Sequence, residues 1–163
     1  MNDRPLQNAS PLAPPASSSF ASLGFTRPSQ GSLGWPFTAA LVGGIGVAIA
    51  IGLLKPDPPI TDWMLLAALL LWQPAIEETL FRGLLQGYLA RMRFGAYSFA
   101  GISAANVVTS IAFTTVHFVH QPPLWALGVF FPSMLFGYFR DLSGSVWPSL
   151  ALHVAFNAAF FLA

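Results

Sequence analysis

The stretch from Trp35 to Leu54 is twenty residues long and contains no charged side chain. As a helix rising 1.5 Å per residue it is about 30 Å long, which matches the hydrocarbon core of a bilayer. The whole chain has 163 residues, of which 55% are hydrophobic and 8% are charged. Soluble domains carry about 25% charged residues, so lipid is the expected surrounding for most of this chain. We therefore expect an all-α, polytopic membrane helix bundle.

The composition also excludes several classes of function. The chain contains no cysteine, which removes disulfide frameworks, thiolate nucleophiles and zinc–thiolate sites. Its net charge of +1 is too small to predict nucleic acid as a partner. Any chemistry must therefore come from the few polar side chains within the apolar segments.

The chain divides into a tail and a membrane domain. Residues 1–34 are rich in Pro, Ser, Ala and Gly without a sustained apolar period, which predicts a flexible N-terminal tail. Residues 35–163 are the predicted membrane-embedded helical domain, with about five spans. Asp62 is the predicted N-cap of the second span, and Pro74 is expected to kink or restart it. The other spans are expected at residues 35–54, 104–119, 124–139 and 146–163, with turns at 55–59, 94–101, 120–123 and 140–144.

The distribution of cations predicts the orientation of the chain. If the tail lies on one side of the membrane, five arginines share that side and Lys55 alone lies on the other. The positive-inside rule then places the N-terminus in the cytoplasm of a multi-pass cell (inner) membrane protein. The arginines on the cytoplasmic side are Arg4, Arg27, Arg91, Arg93 and Arg140.

Three charged side chains, Glu77, Glu78 and Arg82, lie inside the second predicted span. Each charge costs roughly 2.5–3.5 kcal/mol at the centre of a bilayer, so such groups must be paired or face a cavity. Glu78 precedes Arg82 by four residues, the spacing and order that favour an ion pair on one helical face. Glu77 is turned by about 100° and points elsewhere. The alternative is a purely structural cluster.

Two other pairs have the same four-residue spacing. Phe113 and His117 lie on the third predicted span, and His153 and Asn157 on the fifth. Two imidazoles and a carboxylate in a low-dielectric cavity can bind a metal or activate water as general bases, and an Asn amide can donate to an oxyanion. The alternatives are an interhelical hydrogen bond for each histidine, helix association for Asn157 and packing for Phe113.

These motifs, E-E-x-x-x-R, F-x-x-x-H and H-x-x-x-N in this order, closely resemble the CPBP family. That family comprises intramembrane endopeptidases and includes type II CAAX prenyl proteases and bacteriocin-processing and immunity (Abi-like) proteins. The sequences at 81–86 and 143–147 also look like it. The resemblance covers about residues 72–160.

The resemblance implies a glutamate-type intramembrane protease. Glu77 with His117 would activate a water, while His153 and Asn157 would hold the oxyanion. Glu78 and Arg82 would tune Glu77 or support the structure, and Phe113 would position the ring of His117. No H-E-x-x-H motif is present, which favours a mechanism without a cofactor. The alternative is a zinc-dependent protease with Glu77, His117 and His153 as ligands.

A shielded helical peptide bond must unwind before hydrolysis, so the expected partners are the lipid bilayer and a membrane-anchored or lipid-modified protein substrate. A prenylated CAAX tail, a bacteriocin leader and a C-terminal sorting signal all remain compatible with such a site. A non-catalytic immunity or scaffold protein is the second hypothesis. A small proton-coupled carrier is the third, although the chain shows no internal repeat.

Overall fold

Helices account for most of the chain that the structure describes. The computed structural model describes residues 21, 23–29, 33–54 and 60–163. The predicted turn at 55–59 and most of the predicted tail lie outside these ranges. A short antiparallel hairpin, β1 (Ser98–Phe99) and β2 (Ile102–Ser103), lies in the predicted turn at 94–101 and just beyond it. The prediction of a mainly helical fold is confirmed.

Among the described residues, two helices are long and apolar enough to cross a membrane. Helix α1 (Trp35–Gly52) has 18 residues, and helix α2 (Trp63–Leu89) has 27. As predicted, Asp62 caps α2, because its carboxylate accepts the backbone N–H groups of Met64 at 2.8 Å and Leu65 at 3.3 Å. These helices fit a membrane protein, and the count of five spans stays a prediction.

Helix α2 alternates between α-helical and π-helical geometry. The α-helical stretch Gln73–Glu78 lies between the π-helical stretches Ala68–Trp72 and Thr79–Gln86. Pro74 lies in the first turn of the α-helical stretch, where a missing N–H is tolerated, and the helix continues beyond it. The kink at Pro74 stays a prediction. The π-helical turns are notable because such turns are frequent at functional sites.

The second half of the chain departs from the prediction in one region. The expected span at 124–139 is two helices, since Pro132 lacks the N–H that would continue the first helix into the second. Residues 140–143, predicted as a turn, are helical, and the chain turns at Gly144, whose φ of 68° is left-handed. These helices are α3 (Ala104–His117), α4 (Pro123–Gly128), α5 (Phe130–Ser143) and α6 (Trp147–Leu162).

A buried aromatic and aliphatic core joins α5 to α6. Phe136 and Phe139 of α5 and Leu152 of α6 are its fully buried members. Phe37 of α1 packs edge-on against Phe139, with ring centroids 5.2 Å apart. The core therefore holds α1 and α5 against α6, the helix that carries His153.

Residues 23–29 belong to the predicted tail but pack against the turn between α5 and α6. Ser29 donates its backbone N–H to the Ser143 carbonyl at 3.0 Å, and Val146 donates to the Gly24 carbonyl at 2.9 Å. The Thr26 hydroxyl donates to the Gly144 carbonyl at 3.1 Å. These hydrogen bonds attach residues 23–29 to the helical bundle, and the flexibility of the tail stays a prediction.

Candidate active site

Glu78 and Arg82 form the predicted ion pair at the centre of the bundle. Arg82 Nε lies 3.3 Å from Glu78 Oε2, and both side chains are fully buried. Arg82 Nη2 also donates to Ser133 Oγ at 2.8 Å and to the Ser133 carbonyl at 3.0 Å. The guanidinium carbon lies 4.8 Å from the centroid of the Phe113 ring. A buried charge requires such partners, and α3 and α5 supply those that α2 does not.

His153 lies between the two glutamates. Its Nδ1 is 2.9 Å from Glu78 Oε1, and its Nε2 is 3.6 Å from Glu77 Oε2. The ring stacks on Phe136, with centroids 4.9 Å apart and planes 22° apart. Both nitrogens therefore face carboxylates, and one face of the ring is fixed by an aromatic neighbour.

Glu77 differs from Glu78 in exposure and in its charged neighbours. One oxygen of each carboxylate is buried without a hydrogen bond among the described residues, but that of Glu78 faces Arg82 Nε at 3.3 Å. The Glu77 side chain is 18% exposed, whereas that of Glu78 is fully buried. Gln73, one turn earlier, donates its side-chain amide to Glu77 Oε1 at 2.9 Å. Glu77 Oε2 is buried and has no hydrogen-bond partner among the described residues. A buried carboxylate oxygen in this state is a natural place for a bound water.

His117 lies on α3, and the water that it is expected to share with Glu77 stays a prediction. No hydrogen bond or ion pair joins the two within the described chain, and the imidazole beside Glu77 is that of His153. His117 Nδ1 instead lies 2.8 Å from the Phe113 carbonyl. A carbonyl oxygen only accepts, so Nδ1 carries the hydrogen and Nε2 keeps its lone pair in the neutral ring.

Phe113 links these groups as a packing residue. Its ring centroid lies 4.5 Å from that of His117, 6.1 Å from that of His153 and 5.0 Å from that of Phe81. The predicted contact of Phe113 with the His117 ring is therefore present. Phe113 therefore packs against both imidazoles and against the Arg82 guanidinium.

Asn157 joins α6 to α2. Its Nδ2 donates to the Leu69 carbonyl at 2.9 Å, within the first π-helical stretch of α2. This is the helix-associating contact that was the alternative to an oxyanion donor. The second N–H of the same amide has no hydrogen bond to the described residues.

The proposed zinc ligands do not form a metal site in this arrangement. Among the residues that the structure describes, no three histidine or acidic side chains are grouped so that they could hold a metal ion. Glu77 and His153 are neighbours, whereas His117 forms no hydrogen bond or ion pair with either of them among the described residues. The described residues therefore do not fit a zinc ion.

Three residues that contact the site were not predicted. Gln73 lies four residues before Glu77, so the helical spacing contained the signal that could have identified it. Ser133 and Phe136 lie within an apolar span, where a serine or a phenylalanine carries no signal of its own. Their contacts arise only when α5 packs beside Arg82 and His153.

Comparison with known proteins gives one match. The family model described as type II CAAX prenyl endopeptidase Rce1-like matches residues 59–159, which is more than half of the chain. Neither the curated proteins nor the solved structures contain a match. The matched region includes every residue of the site described above. The protein therefore belongs to the Rce1-like family of CAAX-type proteases, which are membrane-embedded hydrolases.

Proposed function

We propose that this protein is an intramembrane endopeptidase in which Glu77 activates a water molecule that attacks a substrate peptide bond. The observation that carries the proposal is the Glu77 Oε2 atom, which is buried, lacks a hydrogen-bond partner in the described chain and faces His153 Nε2 at 3.6 Å. Gln73 holds the other oxygen of the same carboxylate. One oxygen is thus fixed, and the other is left to accept a hydrogen bond from water.

In the reaction, Glu77 accepts a proton from this water while the water oxygen bonds to the carbonyl carbon of the substrate. The resulting tetrahedral oxyanion collapses as the C–N bond breaks. Glu77 then transfers its proton to the leaving nitrogen. Atoms and charges balance without a covalent enzyme intermediate or a redox partner.

His153 is the proposed oxyanion donor. Its Nδ1 lies 2.9 Å from Glu78 Oε1, and its Nε2 lies on the side of Glu77, where the reacting atoms would be. A hydrogen on Nε2 would be donated to the oxyanion. The Phe136 ring, stacked on His153, keeps this donor oriented before the substrate arrives.

His117 and Asn157 complete the proposal. The Nε2 atom of neutral His117 can accept a hydrogen bond, so a water between Glu77 and His117 would join two side chains that do not touch each other. The second amide N–H of Asn157 is the one that would reach the oxyanion, since the first holds the Leu69 carbonyl. Asn157 also positions α6, and with it His153, one turn away.

The proposed substrate is a membrane-anchored or lipid-modified protein cut near its C-terminal or anchored segment. Family membership supports this class of substrate. We place the N-terminus on the cytoplasmic side of the cell (inner) membrane, because five arginines would then share that side and Lys55 alone would lie on the other.

The test compares membranes that contain the wild-type protein with membranes that contain single variants, using mass spectrometry to detect new protein termini. The formation of new termini should fall by a factor of about 10²–10⁴, the usual contribution of an acid–base group, in each of three variants: Glu77→Gln, His117→Ala and His153→Ala. His120→Ala changes an exposed histidine outside the site and is the control. Termini that form equally with Glu77→Gln, or never form with the wild type, would favour a non-catalytic protein instead.

A further inference from the structure

A polar cavity lies between the ends of α2 and α5, beside Ala21 and Gly24. Its volume is about 170 Å³, and its lining includes Gly24, Gln86, Gly87, Arg91, Arg140 and Asp141. None of the proposed catalytic side chains lines it. The cavity is therefore separate from the active site, and nothing in the proposed reaction uses it.

Arg140 contributes an incompletely paired cation to this cavity. Its Nε donates to the Arg82 carbonyl at 3.3 Å. A guanidinium has five N–H donors, and the other four make no hydrogen bond to the described residues. No described carboxylate forms an ion pair with Arg140. A half-buried cation in this state favours an anionic ligand that can accept several N–H groups at once.

Asp141 lines the same cavity but is engaged elsewhere. Its Oδ1 accepts the Gln86 amide at 2.8 Å, and its Oδ2 accepts the Ser103 hydroxyl at 2.6 Å. Arg91 adds a second cation, which likewise forms no ion pair with a described carboxylate. The two arginines and one aspartate give the lining a net charge of +1, with the aspartate oxygens already satisfied.

Gly24 shapes the wall that covers Arg140. Its φ is +84°, and a Cβ at this position would lie 2.6 Å from Arg140 Nη2. Only a residue without a side chain fits here in this backbone conformation. Hydrogen bonds from Val146 N and Thr26 Oγ1 hold the Gly24 segment against the α5–α6 turn. One side of the half-buried guanidinium is therefore covered by a segment that is hydrogen-bonded to the bundle.

We propose that this cavity binds a phosphate group, with Arg140 and Arg91 as its ligands. A guanidinium matches phosphate oxygens in a bidentate geometry, and a cavity of about 170 Å³ is several times the volume of one water, about 30 Å³. The cavity lies where α2 and α5 end, at the level expected for lipid headgroups. The phosphate can belong to an anionic phospholipid or be free in solution, and the chemistry of recognition is the same.

The test measures binding to the full-length protein in a neutral detergent, by the ligand-dependent shift of thermal unfolding. The probes are short-chain phosphatidylglycerol, inorganic phosphate, and diacylglycerol with the same chains but no phosphate. Arg91→Gln and Arg140→Gln should each weaken phosphate-dependent binding about tenfold, the value of one lost charge-assisted hydrogen bond. Arg93→Gln alters an exposed arginine outside the cavity and should change it by less than about twofold.

The outcomes separate the two sources of phosphate. If both phosphatidylglycerol and inorganic phosphate bind, the proposal is supported and the phosphate group alone is sufficient for binding. If only phosphatidylglycerol binds, the proposal is supported and the ligand is a lipid. Equal shifts with diacylglycerol, no shift with either phosphate probe, or unchanged binding by Arg91→Gln would overturn it. Arg91 makes no side-chain hydrogen bond or ion pair in the described chain, so that variant should fold even if Arg140→Gln does not.

Discussion

Glu78 and His153 are 75 residues apart in the sequence, yet Glu78 Oε1 lies 2.9 Å from His153 Nδ1. The other oxygen of Glu78 faces Arg82 at 3.3 Å. Both oxygens of this buried carboxylate therefore face cationic or hydrogen-donating groups of the protein. The neighbouring Glu77 has one buried oxygen that neither accepts a hydrogen bond nor faces an arginine in the described chain. We therefore propose different tasks for the two glutamates: Glu78 holds the site together, and Glu77 takes part in the chemistry.

Arg82→Gln should strongly destabilise the fold. The substitution leaves Glu78 as a buried charge without its arginine partner, which typically costs about 3–5 kcal/mol. The midpoint of thermal unfolding in detergent is the measurement, with the exposed Arg93→Gln as control. An Arg82→Gln midpoint equal to that of the control would contradict the structural importance of the pair.

Gln73→Ala should lower kcat without lowering stability. The variant removes the amide that fixes Glu77 Oε1, so the carboxylate can rotate away from the water position. Because hydrogen bonds to charged groups are worth about 1.5–3 kcal/mol, we expect kcat to fall by about tenfold or more. KM and the unfolding midpoint should stay near the wild-type values, since Gln73 is exposed. Gln121→Ala, at an exposed glutamine in a turn, is the matched control. Equal kcat values in the two variants would show that Gln73 does not position Glu77 for the reaction.

Gly44→Ala and Gly46→Ala should differ although they lie on the same helix. A Cβ at Gly44 would lie 1.9 Å from the tip of the Phe156 ring, whereas a Cβ at Gly46 meets nothing within 4 Å. Overpacking costs about 1–3 kcal/mol, while alanine in place of glycine otherwise favours a helix by about 1 kcal/mol. Gly44→Ala should therefore lower the unfolding midpoint and Gly46→Ala should keep or raise it. Equal midpoints would mean that α1 and α6 are not packed at Gly44.

The predicted orientation can be tested by cysteine labelling, because the natural chain contains no cysteine. Ser98 and Gln121 are exposed and lie beyond opposite ends of α3. In intact cells, a membrane-impermeant thiol reagent should label Gln121→Cys from outside and spare Ser98→Cys until the cells are opened. Labelling of Ser98→Cys in intact cells would reverse the proposed orientation.

Local patterns in the sequence predicted much of the fold. The charge-free run from Trp35 marks α1, the Asp62 cap marks the start of α2, and the four-residue spacing of Glu78 and Arg82 predicts their ion pair. Each of these features depends on residues close together in the chain. Their structural consequences can therefore be worked out without knowing how the helices pack.

The pairing of side chains between helices could not be predicted in the same way. The helical spacing shows that Glu77 points away from Arg82. It does not show whether the imidazole beside Glu77 is that of His117 or that of His153. The packing of α6 against α2 places His153 there. The same limit applies to Ser133, which contacts Arg82 only because α5 packs beside α2. It also applies to residues 23–29, whose composition is typical of a flexible tail although their backbone forms hydrogen bonds with the α5–α6 turn.

The measurement that tests the central claim most directly is a paired comparison of Glu77→Gln and Glu78→Gln, purified in the same detergent. Substrate cleavage and the midpoint of thermal unfolding are recorded for each variant. We predict that Glu77→Gln unfolds like the wild type and loses cleavage by a factor of about 10²–10⁴, while Glu78→Gln unfolds at a clearly lower temperature. A Glu77→Gln protein that cleaves substrate at the wild-type rate would contradict the account.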